Sequence, residues 1–451
     1  MSEAERDYPR LFPKPEQTIA GIGRALREGR ITCADVLDRC FDQVDRWEPK
    51  VHAWVVLDRD GAIEQARLLD EELKAGNDRG PLHGIPIGIK DLFDVKGLPT
   101  ACGAKRWVAR IADKDAEAVA RLRKAGAVIM GKTVTTAYAC LDPPVTRNPW
   151  NLERTPGGSS SGSAAAVACG MCYGAIGTQT GGSITRPASF CGVAGMKPNN
   201  LGLRWSLQGV LPFAPSLDHI GPIAQTVDDL RLVFEGMDGE THTSPKRDRS
   251  PRPEGAVKLG RLRGFFDRRA TPAVLSVLDE AAHALSAHGA DIVELDDPVD
   301  FERILEDHRT VLTSEAANVH SGWLDEFADD YPPLIRDIIL EGRSRLALEY
   351  LQAKDRMLST RFAILKPLCE SRREFWITPA ILGTAPDRST TGDPSFNAPW
   401  SYTGLPTVSF PIGLAPDGMP VAIQLIGCSL RDRKLLGAAE WCEQVIRTWR
   451  Q

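Results

Sequence analysis

The sequence predicts an α/β protein, and three observations carry that expectation. Strand-length apolar runs alternate with helical stretches along most of the 451 residues. With 42% hydrophobic and 25% charged residues, the chain has the makings of a large soluble core. Residues 154–198 hold two glycine-flanked serine clusters separated by a run of small residues, and the rest of the chain looks built to hold them. Length suggests two or three domains, although large α/β enzymes of this size also fold as one unit. A net charge of -5 offers no electrostatic footing for nucleic acid.

Apolar stripes through Ile19, Ile22, Leu26, Val36, Leu37, Phe41 and Val44, interrupted near Gly29, predict two amphipathic helices over Thr18 to Asp45. Val51 to Leu57 reads as a strand and Asp58 to Ala75 as a further helix. Gly84 to Lys90 is a buried strand that ends on a lysine, which either snorkels out to solvent or is held inside for a purpose. A helix over Asp115 to Lys124 and a strand over Ala127 to Met130 follow. Ala164 to Ala168 reads as a buried helix capped by the preceding serines, and Val227 to Met237 as another helix. The polar, proline-rich stretch Thr241 to Glu254 is a solvated connection or a linker. Beyond it come strands at Val257 to Leu262 and Asp291 to Leu295 around a helix from Pro272 to His288. Residues 300–370 are mainly helical, and strands starting at Phe375, Thr407 and Val421 precede a closing helix, Arg433 to Arg447.

Several motifs spell chemistry that their surroundings do not support. Gly126 to Thr133 fits the phosphate-loop pattern, but its four intervening residues are apolar, strand-like and follow a helix, the reverse of the order a phosphate cradle needs. Gly158 to Gly162 fits the nucleophile elbow, yet no histidine follows His320 and no strand precedes the elbow. Cys169 and Cys172 form a CxxC without a second ligand pair, so packing is the better account. Ten scattered cysteines and an acidic start without a leader-like apolar segment predict reduced thiols and a cytoplasmic protein. No apolar run approaches the roughly 20 residues that span a bilayer.

The second serine cluster, Thr180-Gly181-Gly182-Ser183, has the composition of a turn whose backbone N–H groups converge on one point beside a hydroxyl. That is what a nucleophile next to an oxyanion hole requires.

Taken together, these residues resemble the amidase signature family of serine hydrolases. The resemblance rests on Gly84 to Lys90 with the Asp-Leu-Phe that follows, Gly131-Lys-Thr, Arg147-Asn-Pro-Trp-Asn, the serine block Pro156 to Ala168, and Gly177 to Ser183. Cys191 to Pro198, Asp218-His-Ile-Gly-Pro, Asn397 to Pro406 and Gly418 to Ile426 fit too. It is densest from 84 to 224 and thin from 240 to 370. It implies one domain over 1–451, a large mixed sheet between layers of helices (α/β/α), with N-terminal helices in 1–80, a catalytic core in 81–240 and a variable helical region in 300–370 near the pocket.

The resemblance further implies a triad of Lys90 as base, Ser159 as a relay after a cis peptide, and Ser183 as nucleophile, with the N–H groups of Thr180, Gly181, Gly182 and Ser183 forming the oxyanion hole. A lysine can act as base only when neutral, which burial without a carboxylate partner promotes. The implied activity is hydrolysis of a small carboxamide through an acyl-enzyme, with no metal or organic cofactor. The alternative is the glutaminase (A-type) component of a tRNA-dependent amidotransferase, and a homodimer is compatible with either. One departure bears on substrate: Gln179 replaces the acid of a common family form, and Arg186 stands three residues past Ser183 rather than two. Arg186 then either grips a substrate carboxylate or pairs within the scaffold.

Overall fold

The computed structural model describes residues 9–200, 207–239, 256–370 and 375–451; the stretch expected to be a solvated connection, 241–254, lies outside them. Eleven strands form one mixed sheet: β1 (Trp54–Leu57), β2 (Pro86–Lys90), β3 (Val128–Thr133), β4 (Gly174–Gln179), β5 (Ala194–Lys197), β6 (His219–Ala224), β7 (Lys258–Leu262), β8 (Asp291–Leu295), β9 (Phe375–Pro379), β10 (Thr407–Leu414) and β11 (Pro420–Gly427). Their spatial order is β1-β3-β2-β4-β6-β5-β10-β11-β9-β7-β8. β2 runs parallel to both β3 and β4, and β7 parallel to β8 and β9, while the middle of the sheet is antiparallel.

The helices that cover the sheet are α1 (Ile19–Arg27), α2 (Cys33–Val51), α3 (Arg59–Lys74), α4 (Glu117–Lys124), α5 (Ser161–Ala168), α6 (Thr185–Cys191), α7 (Val227–Asp238), α8 (Gly264–Arg269), α9 (Pro272–Ala287), α10 (Phe301–Glu326), α11 (Pro333–Ser344), α12 (Ala347–Glu370), α13 (Ala398–Thr403) and α14 (Asp432–Arg450). The architecture is α/β/α, as the resemblance implies. Thr18, Thr32, Asp58, Thr226 and Asp300 cap their helices through side-chain oxygens, each relieving an orphan N–H. None of the described helices is long and apolar enough to cross a membrane.

Three short helices escaped the sequence reading. α6 carries Pro187, and α8 and α13 have 6 residues each, so none presents a full amphipathic period. The serines before α5 also differ from expectation. Ser160 occupies the N-cap position, but its side chain makes no capping bond; its hydroxyl donates to the Thr178 carbonyl at 3.3 Å instead.

The phosphate-loop spelling is strand. β3 continues through Gly131-Lys132-Thr133, and the buried Lys132 ammonium donates to Asp91 at 2.8 Å, the Pro99 carbonyl at 2.9 Å and Thr100 at 3.1 Å. His320 is enclosed by the rings of Tyr138, Phe213, Trp323 and Tyr331. Not every cysteine is a thiol: Cys369, near the end of α12, is disulfide-bonded to Cys428, just past β11, with the Cα atoms 6.2 Å apart. The reading of ten free thiols is corrected accordingly. A pair 59 residues apart in sequence meets only because α12 returns to the exit of β11, a tertiary fact that spacing does not carry. The other eight are free and buried, Cys169 and Cys172 among them.

α5 sits so close to the sheet that Gly162 donates its N–H to the Val134 carbonyl at 3.0 Å. A Cβ there would lie 2.2 Å from the Ala53 carbonyl oxygen and 2.3 Å from the Val134 nitrogen, both backbone atoms that cannot swing aside. Gly162→Ala is therefore expected to destabilise the fold by about 1–3 kcal/mol, the usual cost of overpacking. Denaturant unfolding reads this, and an unchanged midpoint would contradict the close approach.

Candidate active site

Because β2 and β4 are parallel neighbours, paired at Ile87 with Gly174 and Ile89 with Ile176, their carboxyl ends lie together. Open α/β sheets characteristically place ligands at such ends. Lys90 is the last residue of β2 and has no exposed surface. It does not snorkel. Its Nζ lies 2.7 Å from Ser159 Oγ, 3.0 Å from Ser160 Oγ and 2.7 Å from Thr178 Oγ1. The Gly158–Ser159 peptide is cis, as expected, and α5 begins immediately after Ser160.

Among the described residues, no carboxylate lies within ion-pair distance of Lys90. Burial holds its pKa well below the ordinary lysine range, and the more distant charge of Asp218 opposes that shift only in part. Proton counting fits either form of the group. An ammonium would donate to all three hydroxyls, whereas an amine donates two hydrogens and accepts one. The Ser160 hydroxyl already gives its hydrogen to the Thr178 carbonyl, so Ser159 is well suited to donate to Nζ.

Beyond β4 the chain turns through Thr180 to Ser183, and this turn is held from behind. The Thr180 hydroxyl donates to Asp218 at 2.7 Å, and Asp218 also accepts the N–H groups of Phe213 at 2.8 Å and Ala214 at 3.1 Å. The His308 Nε2–H donates to the Thr180 carbonyl at 3.0 Å, and burial keeps that imidazole below the ordinary histidine pKa, hence neutral. The Ser401 hydroxyl donates to the Gly181 carbonyl at 2.8 Å, and the Arg186 N–H to the Gly182 carbonyl at 2.9 Å. Gln179, standing where the family form has an acid, accepts from the N–H groups of Ile184 and Thr185 at 2.9 and 3.0 Å and so closes the start of α6. With its carbonyls engaged, the turn keeps its amides free: among the described residues no acceptor is bonded to the N–H of Gly181, Gly182 or Ser183.

These residues border a cavity of about 240 Å³. Thr180, Gly181, Gly182 and Ser183 line it, whereas Lys90 and Ser159 sit behind that wall. The Ser160 N–H donates to the Ser183 carbonyl at 3.2 Å, tying the two serine loops to each other. Apolar side chains, Phe213, Leu305, Leu312 and Ile338 among them, form the opposite side. Arg186 also lines the cavity although it is only 2% exposed. Its Nη2 donates to the Gly158 carbonyl at 2.7 Å and Thr391 Oγ1 at 3.2 Å, but Nε and Nη1 are buried without partners. Burial pushes its pKa down to about 10.

The structure thus brings Lys90 and Ser159 into direct contact and puts Ser183, the turn amides and Arg186 on one cavity. Sequence reasoning missed His308, Thr178 and the part played by Ser160. A single histidine in the thinly matching 300–370 helices carries no pattern that would reveal it.

Residues 35–375 match the family described as Amidase. This chain belongs to the amidase signature family. As a member, it is a C–N hydrolase in the broad sense. A solved structure described as an amidase is 30% identical, covers 95% of this chain and 99% of its own, and superposes with a TM-score of 0.85. Peptide amidase from Stenotrophomonas maltophilia is 26% identical with a TM-score of 0.81, over 96% of this chain and 98% of that one. Among curated relatives, the A-type component of the glutamyl-tRNA(Gln) amidotransferase of Roseiflexus castenholzii is 33% identical over 481 residues, 96% of this chain and 97% of its own. Its counterpart in Lachnospira eligens is 30% identical over 474 residues, 95% of this chain and 98% of its own.

The depressed Lys90 pKa has a consequence for stability. In the unfolded chain the amine holds its proton up to about pH 10.4, while the native amine releases it at lower pH. Between those values the unfolded state binds more protons, so native stability rises with pH through the window and is lost as pH falls. Lys90→Met removes this dependence. Denaturant unfolding at several pH values is expected to show wild type gaining on the variant as pH rises; parallel curves would mean that Lys90 is charged in the native state.

Proposed function

We propose that this chain hydrolyses the C–N bond of a small carboxamide through a seryl acyl-enzyme, with Ser183 as nucleophile, Ser159 as proton relay and Lys90 as base. The observation that carries this reading is a buried amine free of carboxylate partners, hydrogen-bonded to Ser159, behind a cavity where Ser183 lies beside unpaired backbone amides. The Ser183 hydroxyl attacks the carbonyl carbon, its proton passes to Ser159, and the Ser159 proton passes to Lys90. The oxygen of the tetrahedral adduct takes its negative charge toward the N–H groups of the 180–183 turn. The relay then returns a proton to the nitrogen as the C–N bond breaks, and ammonia or an amine leaves. Water repeats the cycle on the ester and releases the carboxylate.

Arg186 supports a carboxylate-bearing substrate. Two of its buried nitrogens lack partners on the wall of the same cavity, and a planar guanidinium suits a carboxylate. It has a scaffold role as well, through the Gly158 carbonyl, so the two roles left open by the sequence are compatible in one side chain. A second reading is the glutamine-hydrolysing component of a tRNA-dependent amidotransferase. What favours it is the 30–33% identity to such components over nearly the whole chain. The two readings share the chemistry and part on the need for a partner. Steady turnover of simple amides by the purified chain alone supports the first; glutamine hydrolysis that starts only when the other components are added supports the second.

Ser183→Ala is expected to abolish acyl-enzyme formation, whereas Lys90→Ala and Ser159→Ala should each slow turnover by about 10²–10⁴-fold as losses of proton transfer. Because the two form one relay, the double variant should be little worse than the worse single one. Activity should rise with pH as Lys90 loses its proton, at a pH below the ordinary lysine range, and Lys90→Ala should lack that limb. A covalent serine probe that labels Ser160 or Ser161 in place of Ser183 would sink the assignment.

Arg186→Ala should lower kcat/KM for carboxylate-bearing amides more than for neutral ones, by about 10–100-fold, the worth of one charge-assisted hydrogen bond. An equal loss on both substrate types would leave Arg186 with its scaffold role only.

A further inference from the structure

One histidine on the cavity wall has a ring nitrogen without a partner. α10 faces the cavity with Leu305, His308, Arg309 and Leu312, a spacing that keeps all four on one side of the helix. His308 is only 6% exposed. Its Nε2 must carry the hydrogen, because the Thr180 carbonyl to which it bonds can only accept. Burial keeps the ring neutral, so Nδ1 holds a lone pair and can only accept. Among the described residues nothing donates to it. His83, also buried, shows the satisfied form of the same tautomer: Nε2 donates to the Leu69 carbonyl at 2.9 Å, and Nδ1 accepts the Arg79 N–H at 3.1 Å. An acceptor left unpaired in an interior is unfavourable, and a ligand that supplies the missing hydrogen removes that cost.

The ring lies along the turn. A Cβ built on Gly181 would be 3.6 Å from His308 Cε1 and 3.9 Å from Nε2, so the edge carrying those two atoms follows the turn, and Nδ1 comes next around the ring. We infer that His308 is a substrate-binding residue whose Nδ1 accepts a hydrogen bond from an O–H or N–H on the acyl part of the amide, within two carbons of the scissile carbonyl. The inference rests on the function proposed above, in which the 180–183 turn holds the oxygen of that carbonyl. It narrows the substrate class to carboxamides with a hydroxyl or amino group near the carbonyl and an apolar body to lie against Phe213, Leu305, Leu312 and Ile338. Arg186, whose unpaired nitrogens can only donate, reads a different part of the ligand. His308 then does two things, one nitrogen holding the Thr180 carbonyl and the other meeting the substrate.

The test compares two amides on one enzyme preparation: 2-hydroxy-3-phenylpropanamide, as its better enantiomer, and 3-phenylpropanamide, which lacks only the hydroxyl. Neither carries a carboxylate, so Arg186 does not distinguish them. The ratio of their kcat/KM values is also independent of how much of the preparation is folded. Wild type is expected to favour the hydroxy amide by about tenfold or more. His308→Phe and His308→Leu should bring the ratio to about one, on top of a loss shared by both amides as the Thr180 carbonyl loses its donor. A wild-type ratio near one, or a ratio that survives both substitutions, would overturn the inference and leave His308 as a positioning residue. A second measurement needs no turnover: the 15N resonance of His308 Nδ1 in Ser183→Ala enzyme, assigned by its absence in His308→Phe. It should move on addition of the hydroxy amide and stay in place with 3-phenylpropanamide; equal shifts, or none with either, would contradict direct contact. Failure of the underlying reading looks different, since Ser183→Ala would then retain turnover of both amides.

Discussion

The constraint on which the site depends is the burial of one amine. An ammonium placed inside a protein without a counter-charge is so unfavourable that it sheds its proton. Lys90 is in that position at the end of β2: hydroxyl oxygens surround it, and the nearby acid, Asp218, is occupied with Thr180 and the backbone. On the adjoining strand β3 the buried Lys132 does have a carboxylate beside it, Asp91, at 2.8 Å. Two buried lysines on neighbouring strands therefore hold different chemistry for a reason visible in their partners.

The rest of the site follows from engaging the carbonyls of the turn while its amides stay open. The carbonyls of Thr180, Gly181 and Gly182 accept from His308, Ser401 and Arg186, and Gln179 closes the helix that follows. A carboxamide at 179 performs the capping without adding a negative charge beside the turn. That leaves amides of the turn and two nitrogens of Arg186 unspent on one cavity wall. Unpaired donors gathered on the wall of a cavity suit an anionic or polarised ligand.

Much of this was legible in the sequence because the informative residues are local. The serine clusters, the lysine ending an apolar strand, and the small-residue helix behind them each bring their physical reason within a few positions. Strands such as β2, the first half of β3 and β11 were readable as mainly apolar runs of the kind that interior strands require. What sequence did not show is what depends on distant chain returning to the site. His308 reaches Thr180 from α10, Ser401 reaches Gly181 from α13, and Cys369 meets Cys428 only after α12 has folded back. The capping expectation for Ser160 failed for a related reason, since Thr178 and Lys90 compete for the same hydroxyl.

The account stands on the protonation state of Lys90, and the most direct measurement is the pH titration of its side-chain amine by heteronuclear NMR, with the signal assigned by its absence in Lys90→Arg. The structure requires a midpoint well below the roughly 10.4 of a solvated lysine. A Lys90 that titrates at the ordinary value would contradict the burial argument and, with it, the assignment of this amine as the base.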